Sequence, residues 1–230
     1  MRVFLAVLVS MVIMTSDVGA QDLDSAMVFD YGYAATSSSW NLCTPATGMP
    51  FSIVGTVGSF SAPFTDLLPP SGTYEATYVF EGMTHMFGGE HSNPLGCTSI
   101  FEGGGFKIYV DLTPDADPAD AATYRDGELV LDASLQGGFF LEGDMGSYAC
   151  PQFGPTQSGS FIFTGGSWFS RVSDGEGRGY RAENTGCFWD NPPEALQQMG
   201  YVGSSQSWID IEPTISTKET TWGGIKALFR

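Results

Sequence analysis

The sequence predicts an all-β fold, specifically a single-domain antiparallel β-sandwich or jelly-roll-like protein with one or two short helical turns. Three observations predict it: short segments of alternating apolar and polar residues, clusters of Gly, Pro, Ser and Asp between them, and few helix signals. The 230 residues include 30 glycines, and 42% are apolar. This composition is too apolar for a disordered chain and too rich in glycine for a helical one.

Alternation with a period of two predicts the individual strands. In the segment TYEATYVF, Ala76, Tyr78 and Phe80 fall on one face and Glu75 falls on the other. The same alternation, or an extended pattern with glycine kinks, predicts strands at 50–64, 106–112, 126–135 and 204–213. The segment GSFIFTGGSWFSRV is expected to form two strands joined by a hairpin at Gly165-Gly166.

Helix signals are confined to two short places. Pro193 and Glu194 suit the first turn of a helix that ends before Gly200. The segment DPADAATY at 117–124 is a second candidate for one helical turn.

The chain divides into three parts: 1–20, 21–212 and 213–230. Arg2 followed by the apolar run 3–14 and the small residues before Gln21 are typical of an export signal cut after Ala20. The run is too short to span a bilayer, which takes about 20 apolar residues. We therefore predict a secreted or extracytoplasmic protein that does not span the membrane, with an all-β domain at 21–212.

The net charge limits the possible partners. The chain carries a formal charge of −17, and removing the signal leaves it unchanged because one Arg and one Asp are lost together. Coulomb repulsion opposes nucleic acids and anionic lipid surfaces, so the sequence argues against both.

Four cysteines remain after processing: Cys43, Cys97, Cys150 and Cys187. An even number in an exported chain predicts two disulfides, for which three pairings are possible. The sequential pairing is mildly preferred. Their spacing does not suit zinc, because no CxxC pair is present.

The stretch VDLTPDADPAD carries Asp111, Asp115, Asp117 and Asp120, which form a candidate calcium site. Calcium prefers several oxygen ligands on a flexible loop, and Asp-x-Asp spacing allows two carboxylates to reach one ion. The EF-hand pattern is incomplete, because its glycine and its final glutamate are missing. The alternative is an ordinary acidic turn without a metal.

The same stretch carries a resemblance to known proteins. A Y-x-D…DAD segment followed by a DG-x-h-h-L strand, where h is apolar, is matched here by Asp111, Asp115, Asp117, Asp126 and Gly127. In this respect the chain resembles a group of uncharacterised secreted bacterial all-β proteins, over about half of the mature chain. The resemblance implies export and β-structure, and it brings no known activity.

His85, Glu90 and His91 lie in HMFGGEH and form a candidate transition-metal or proton-transfer site. A glycine turn at Gly88-Gly89 would let the two histidines face one another across a hairpin. The alternative is two unrelated loop histidines.

Acidic residues on strands leave a hydrolase open as a further alternative. Glu75, Glu128 and Asp132 are candidates for the paired carboxylates of a glycoside hydrolase. The glycine-rich stretches FEGGGF and DGEGRGY lack the Lys-Ser/Thr of a phosphate loop, so we interpret both as tight turns.

Tryptophans beside polar residues suggest carbohydrate binding. Trp189, Asp190 and Asn191 in CFWDNPP would combine a flat ring with hydrogen-bonding groups, as a sugar-binding loop requires. Trp40, Trp168 and Trp208 have similar neighbours, and core packing is the alternative for each of these rings.

The last residues form a polar linker and a short basic tail. Trp222, Ile225 and Phe229 would share one stripe if the tail were helical, but eleven residues are too few for an isolated helix. The tail would therefore dock on its own domain or serve as a tag for a cell-surface or sorting protein.

These observations favour an exported, disulfide-stapled binding or surface module over an enzyme. The possible ligands are a glycan and calcium, and no catalytic residue is identified.

Overall fold

The computed structural model describes residues 25–36, 46–92, 95–144, 157–189 and 194–212, with the side chains of 90–97, 142–144 and 189 left undescribed. These ranges contain nine strands, all paired antiparallel. The strands are β1 Met27–Thr36, β2 Pro50–Phe60, β3 Glu75–Ser92, β4 Leu95–Glu102, β5 Gly105–Asp111, β6 Glu128–Asp144, β7 Gln157–Gly165, β8 Arg181–Trp189 and β9 Tyr201–Glu212.

The strands form a closed barrel with eight positions around its wall. Consecutive strands pair with one another except β4 with β5, and β9 pairs with β1, so the described strands form a sheet with no free edge. β4 and β5 lie end to end between β3 and β6 and together occupy one of the eight positions in the wall. β4 pairs with one half of β3 and of β6, and β5 pairs with the other half of each. The all-β prediction is confirmed, but the sheet closes on itself instead of forming the two packed layers of a sandwich.

Aromatic rings fill the interior of the barrel. Phe80 lies at the centre, with its ring centroid 5.5–5.9 Å from those of five neighbours. The neighbours are Phe29, Tyr78, Phe106, Phe139 and Phe161. All six side chains are fully buried, so the barrel is a packed core in this region.

The period-two predictions hold along most of the wall. Ala76, Tyr78 and Phe80 point inward, as the alternation in β3 required. In β6 the pattern slips, because a register shift between Ile108 and Tyr109 of β5 lies opposite its start. As a result the consecutive residues Val130 and Leu131 are both buried in the core, where strict alternation would bury only one of them.

The predicted hairpin at Gly165-Gly166 is wrong. The chain leaves β7 at Gly165 and forms a short 3-10 turn, Phe169–Arg171, instead of a second strand. Gly166 has φ +99°, and a Cβ there would lie 2.2 Å from the Val130 carbonyl oxygen, so this glycine allows a close approach to β6. Trp168 then stacks on Phe64, with ring centroids 5.8 Å apart, and helps to close this end of the barrel.

Both predicted helical turns are present. Helix α1, Glu194–Gln198, is an exposed single turn before β9. A 3-10 turn spans Ala121–Tyr124, and Asp120 caps it by accepting a hydrogen bond from the Ala122 N–H. No helix in the described part of the chain is long and apolar enough to cross a membrane.

The β5–β6 connection, residues 112–127, lies across the outside of the barrel wall, and we call it the strap. It covers a second apolar cluster in which Tyr124 packs with Val54, Val79 and Tyr201. The Thr77 hydroxyl donates to the Tyr124 carbonyl at 3.0 Å, and the Tyr201 hydroxyl donates to the Pro118 carbonyl at 2.9 Å. The acidic stretch singled out in the sequence is therefore held against β3 and β9.

Candidate functional site

The strap brings three carboxylates together. Glu75 from the start of β3, Asp111 from the end of β5 and Asp115 from the strap have oxygen atoms within 4.8 Å of one another. The strap creates this grouping, because Glu75 Oε1 accepts hydrogen bonds from the backbone N–H groups of Asp115 and Ala116 at 2.7 and 2.9 Å. Three carboxylates at this separation could supply oxygen ligands to one hard cation.

Asp117 and Asp120, the other two predicted calcium ligands, do not belong to this group. Asp117 Oδ1 accepts from the Ala119 N–H, and Asp120 Oδ1 accepts from the Ala122 N–H. Both carboxylates thus cap local turns, as Asp residues commonly do. The third carboxylate of the group is Glu75 instead. Sequence spacing could not indicate that Glu75 belongs to the group, because Glu75 lies 40 residues before Asp115.

The crowding affects the ionisation of Asp115. Partial desolvation, followed by the negative charges of Asp126, Asp111 and Asp120, raises the pKa of the Asp115 carboxyl. The charged form is thus disfavoured in the folded chain, as expected for like charges held close together.

Beside the strap, the outer wall carries a groove made of two cavities of about 400 and 360 Å³ that meet at Gly82. We call it the outer groove. Glu81, Lys107, Asp132 and Ser134 line the first cavity. Ser52 and Thr84 are among the residues that line the second. No sequence motif indicated this groove, although its floor includes two glycines of the FEGGGF stretch.

Ion pairs dominate one wall of the outer groove. Lys107 Nζ lies 2.7 Å from Glu81 Oε1, and Arg125 Nε of the strap lies 3.3 Å from Glu81 Oε2. Burial tends to raise the pKa of Glu81, but the hydrogen bond and charge of Lys107, together with Arg125, outweigh it and lower the pKa. The hydrogen bond to Glu81 in turn raises the pKa of Lys107. Glu81 is therefore held as a carboxylate.

The predicted histidine group is spread along one strand. Gly88 and Gly89 lie within β3 rather than in a turn, so His85 and His91 stand six residues apart on the same strand. This separation is about 20 Å for an extended chain. His85 points into the barrel, is 1% exposed and packs edge-on against Phe101. The side chains of Glu90 and His91 lie outside the described residues.

A short polar network also lies within the barrel. Gln157 donates to Asn184 at 2.8 Å, and Asn184 donates to the Ser207 hydroxyl at 3.0 Å. All three side chains are buried. Gln157 Oε1 has no hydrogen-bond partner. No sequence motif indicated this network, because its members come from three different strands.

The tryptophans divide between core and surface. Trp168 packs against the core beside Phe60 and Phe64, as the packing alternative predicted. Trp208 alternates with the buried Ser207 and Ile209 and is half-buried on the outer face of β9. Trp189 ends β8, but its side chain lies outside the described residues, as do Trp40, Asp190 and Asn191.

The topology restricts how the cysteines can pair. Cys187 lies near the end of β8, is 8% exposed and is not a free thiol. Cys97 lies near the start of β4, which β6 and β7 separate from β8. Three strand spacings amount to about 14 Å, and a disulfide needs Cα atoms within about 7 Å. A bond between Cys97 and Cys187 is therefore excluded, which leaves two of the three pairings.

The tail residues Trp222, Ile225 and Phe229 lie outside the described residues, as do Cys43 and Cys150.

Comparison of the chain with protein-family models, with curated proteins and with solved structures finds no match.

Proposed function

We propose that this chain is an exported binding or surface module that contacts its ligand through the outside of the barrel and carries out no catalysis. One observation carries the proposal: packed aromatic rings fill the barrel interior around Phe80. A ligand would have to displace this core to enter. Binding therefore falls to the outer wall, where the outer groove is an open concave surface.

The ion pairs of the outer groove argue for binding over hydrolysis. Glu81 and Asp132 line the same cavity, as the two carboxylates of a glycoside hydrolase would. A general acid needs a raised pKa, whereas Lys107 and Arg125 hold the pKa of Glu81 below its usual value. Glu81 is thus suited to position a ligand and not to donate a proton.

A carbohydrate-binding module that uses exposed tryptophan is the alternative. The half-buried Trp208 on the outer face of β9 favours it, because β9 pairs with β8, the strand that ends at Trp189. Trp189, Asp190 and Asn191 would then supply the ring and the polar groups of the site. Trp189→Ala should abolish glycan binding in this case and leave it unchanged if the outer groove is used.

The proposal can be tested on the mature chain, residues 21–230. We expect the protein to co-sediment with at least one of cellulose, chitin and peptidoglycan particles, and to release no reducing ends from soluble derivatives of the same polymers. Release of reducing ends that is lost in Asp132→Asn would contradict the proposal. Failure to sediment with any of the particles would contradict it as well.

Calcium binding is a second candidate function, favoured by the convergence of Glu75, Asp111 and Asp115. We expect millimolar calcium to raise the melting temperature relative to EDTA, because an ion bound only to the folded state stabilises it. Asp115→Asn should melt higher than the wild type in EDTA, since it removes the repulsion that raises the pKa of Asp115. It should also lose the calcium response.

Asp117→Asn is the matched control for the calcium experiment. Its amide oxygen can still accept from the Ala119 N–H, and Asp117 lies outside the three converging carboxylates. This variant should keep the full calcium response. A wild-type melting temperature that is the same in EDTA and in calcium would rule out the site.

Export and disulfide formation belong to the same proposal. Protein recovered from the extracytoplasmic fraction should begin at Gln21. Its mass should be lower than that of the reduced chain by the thiol hydrogens of all four cysteines. Peptide mapping without reduction should find no link between Cys97 and Cys187, since β6 and β7 lie between their strands. A recovered chain that retains residues 1–20 would contradict the export proposal.

A further inference from the structure

The outer groove runs across the strands of the barrel wall. Asp132 and Ser134 of β6 lie at one end, Lys107 of β5 and Glu81 of β3 follow, and Ser52 of β2 lies in the second cavity. Ala35 of β1 marks the other end. Four strand spacings separate β6 from β1 along this path, which gives a length of about 19 Å. Such a shape suits an extended ligand better than a compact one.

Glycines make the groove possible by removing side chains from its floor. Gly82 and Gly104 adopt φ values of +72° and +65°, at the point where β4 gives way to β5. A Cβ on Gly104 would lie 2.0 Å from the Glu81 carbonyl oxygen, and one on Gly105 would lie 1.8 Å from the Ala133 carbonyl oxygen. These glycines therefore let the neighbouring backbone segments pack closely beneath the first cavity, and they place no side chain in it.

The walls of the groove offer hydrogen bonds with little net charge. Lys107 lies beside Glu81 and Asp132 in the lining of the first cavity, and Arg125, which lies outside that lining, pairs with Glu81 from the strap at 3.3 Å. Hydroxyl groups are added by Ser134 in the first cavity and by Ser52 and Thr84 in the second. The first cavity thus offers both donors and acceptors, whereas apolar side chains and hydroxyl groups share the lining of the second.

We propose that the outer groove binds a neutral, hydroxyl-rich chain, namely an extended segment of an oligosaccharide or polysaccharide. This inference rests on the proposed binding function and gives it a ligand class. A polyanion is opposed by the charge of the protein. An extended peptide would need a free strand edge to pair with, and the closed barrel offers none along its described strands. Hydroxyl groups satisfy both the donors and the acceptors of the walls.

The inference can be tested by native electrophoresis of the mature chain in gels that contain a soluble polysaccharide. The neutral probes are hydroxyethyl cellulose, laminarin, galactomannan and dextran, and alginate is the anionic one. We expect at least one neutral polymer to retard the protein and alginate to have no effect. Ser134→Trp should fill the first cavity and weaken the retardation about tenfold or more, as should Lys107→Met, which removes a charged donor.

Gln136→Trp is the matched control, because Gln136 is exposed on the same strand and lies outside both cavities. It should bind as the wild type does. Retardation that persists unchanged in both Ser134→Trp and Lys107→Met would overturn the groove assignment but leave the binding function standing. Absence of retardation by every neutral polymer, together with no co-sedimentation with cellulose or chitin, would overturn the ligand class. Co-sedimentation with peptidoglycan alone would then leave the binding function standing. Equal retardation by alginate would overturn the charge argument.

Discussion

Three glycines provide a graded test of the close backbone approach beneath the outer groove. Gly72, Gly103 and Gly104 have similar φ values of +80°, +72° and +65°, so alanine meets a similar conformational cost at each. The surroundings differ. A Cβ on Gly72 meets nothing within 4 Å, one on Gly103 lies 3.4 Å from the Gly82 oxygen, and one on Gly104 lies 2.0 Å from the Glu81 oxygen.

The expected magnitudes follow from these distances. A left-handed alanine costs about 1–2 kcal/mol, which for a domain of this size lowers the melting temperature by about 2–8 °C. Gly72→Ala and Gly103→Ala should both fall in this range. Gly104→Ala must also move the β3 backbone, and overpacking of this kind adds about 3 kcal/mol or more, a further drop of about 6–12 °C.

Differential scanning calorimetry of the three variants under oxidising conditions would measure these shifts. Gly104→Ala that melts no lower than Gly72→Ala would refute the argument, since conformational strain alone would then explain both. An equal drop in melting temperature for Gly103→Ala and Gly104→Ala would refute it too. The two residues differ in how closely the nearest carbonyl oxygen approaches a Cβ, so the argument requires different drops. Should Gly104→Ala fail to accumulate, the comparison of Gly72 with Gly103 still tests the reasoning.

Three further predictions concern the groove, the core and the tail. Glu81→Gln should lower the melting temperature by about 2–4 °C at neutral pH, because it breaks two ion pairs worth about 1 kcal/mol together after solvent screening. Since the folded-state pKa of Glu81 is depressed, its stabilisation exists above the unfolded pKa and disappears as the pH falls through the folded one. The difference between Glu81→Gln and wild type should therefore shrink as the pH falls below about 4.3, the ordinary pKa of glutamate, and disappear below the depressed folded-state pKa; a constant difference would contradict the ion-pair explanation. Phe80→Ala should cost about 3–5 kcal/mol in urea unfolding because five rings surround it, whereas Phe140→Ala, 37% exposed, should cost about 1 kcal/mol or less. Deleting 220–230 should leave the melting temperature within about 1 °C if the tail is a tag, whereas a drop of several degrees would show that Trp222 and Phe229 belong to the core.

Local alternation was enough to predict that Ala76, Tyr78 and Phe80 of β3 share one buried face, although it did not show that Val79 on the other face would be buried under the strap. Barrel closure could not be predicted in this way. It depends on the pairing of β1 with β9, which joins the first and the last described strands of the chain. No local signal separates a sheet that closes from two sheets that pack.

Glycines account for much of what the sequence left undetermined about the site. Gly166 was expected to form a hairpin and instead lies against the Val130 carbonyl of β6. The FEGGGF stretch was expected to be only a tight turn, and Gly104 and Gly105 prove to form the floor of the outer groove. By contrast, DGEGRGY is a tight turn, with Asp174 accepting from the N–H groups of Glu176 and Arg178. A glycine that permits close packing cannot be distinguished locally from one that permits a turn.

The strap explains why the outer groove lies where it does. Tyr124 and the backbone around Pro118 cover the apolar part of the outer wall, formed by Val54, Val79 and Tyr201. Beyond the strap, Glu81, Lys107, Asp132 and Ser134 line the first cavity, and Gly82, Gly104 and Gly105 place no side chain in it. Arg125 stands at this boundary, bonded to the Ala121 carbonyl of the strap at 2.9 Å and to Glu81 of the groove. One connection thus buries the apolar surface that would otherwise aggregate and supplies a cation to the edge of the surface that remains exposed.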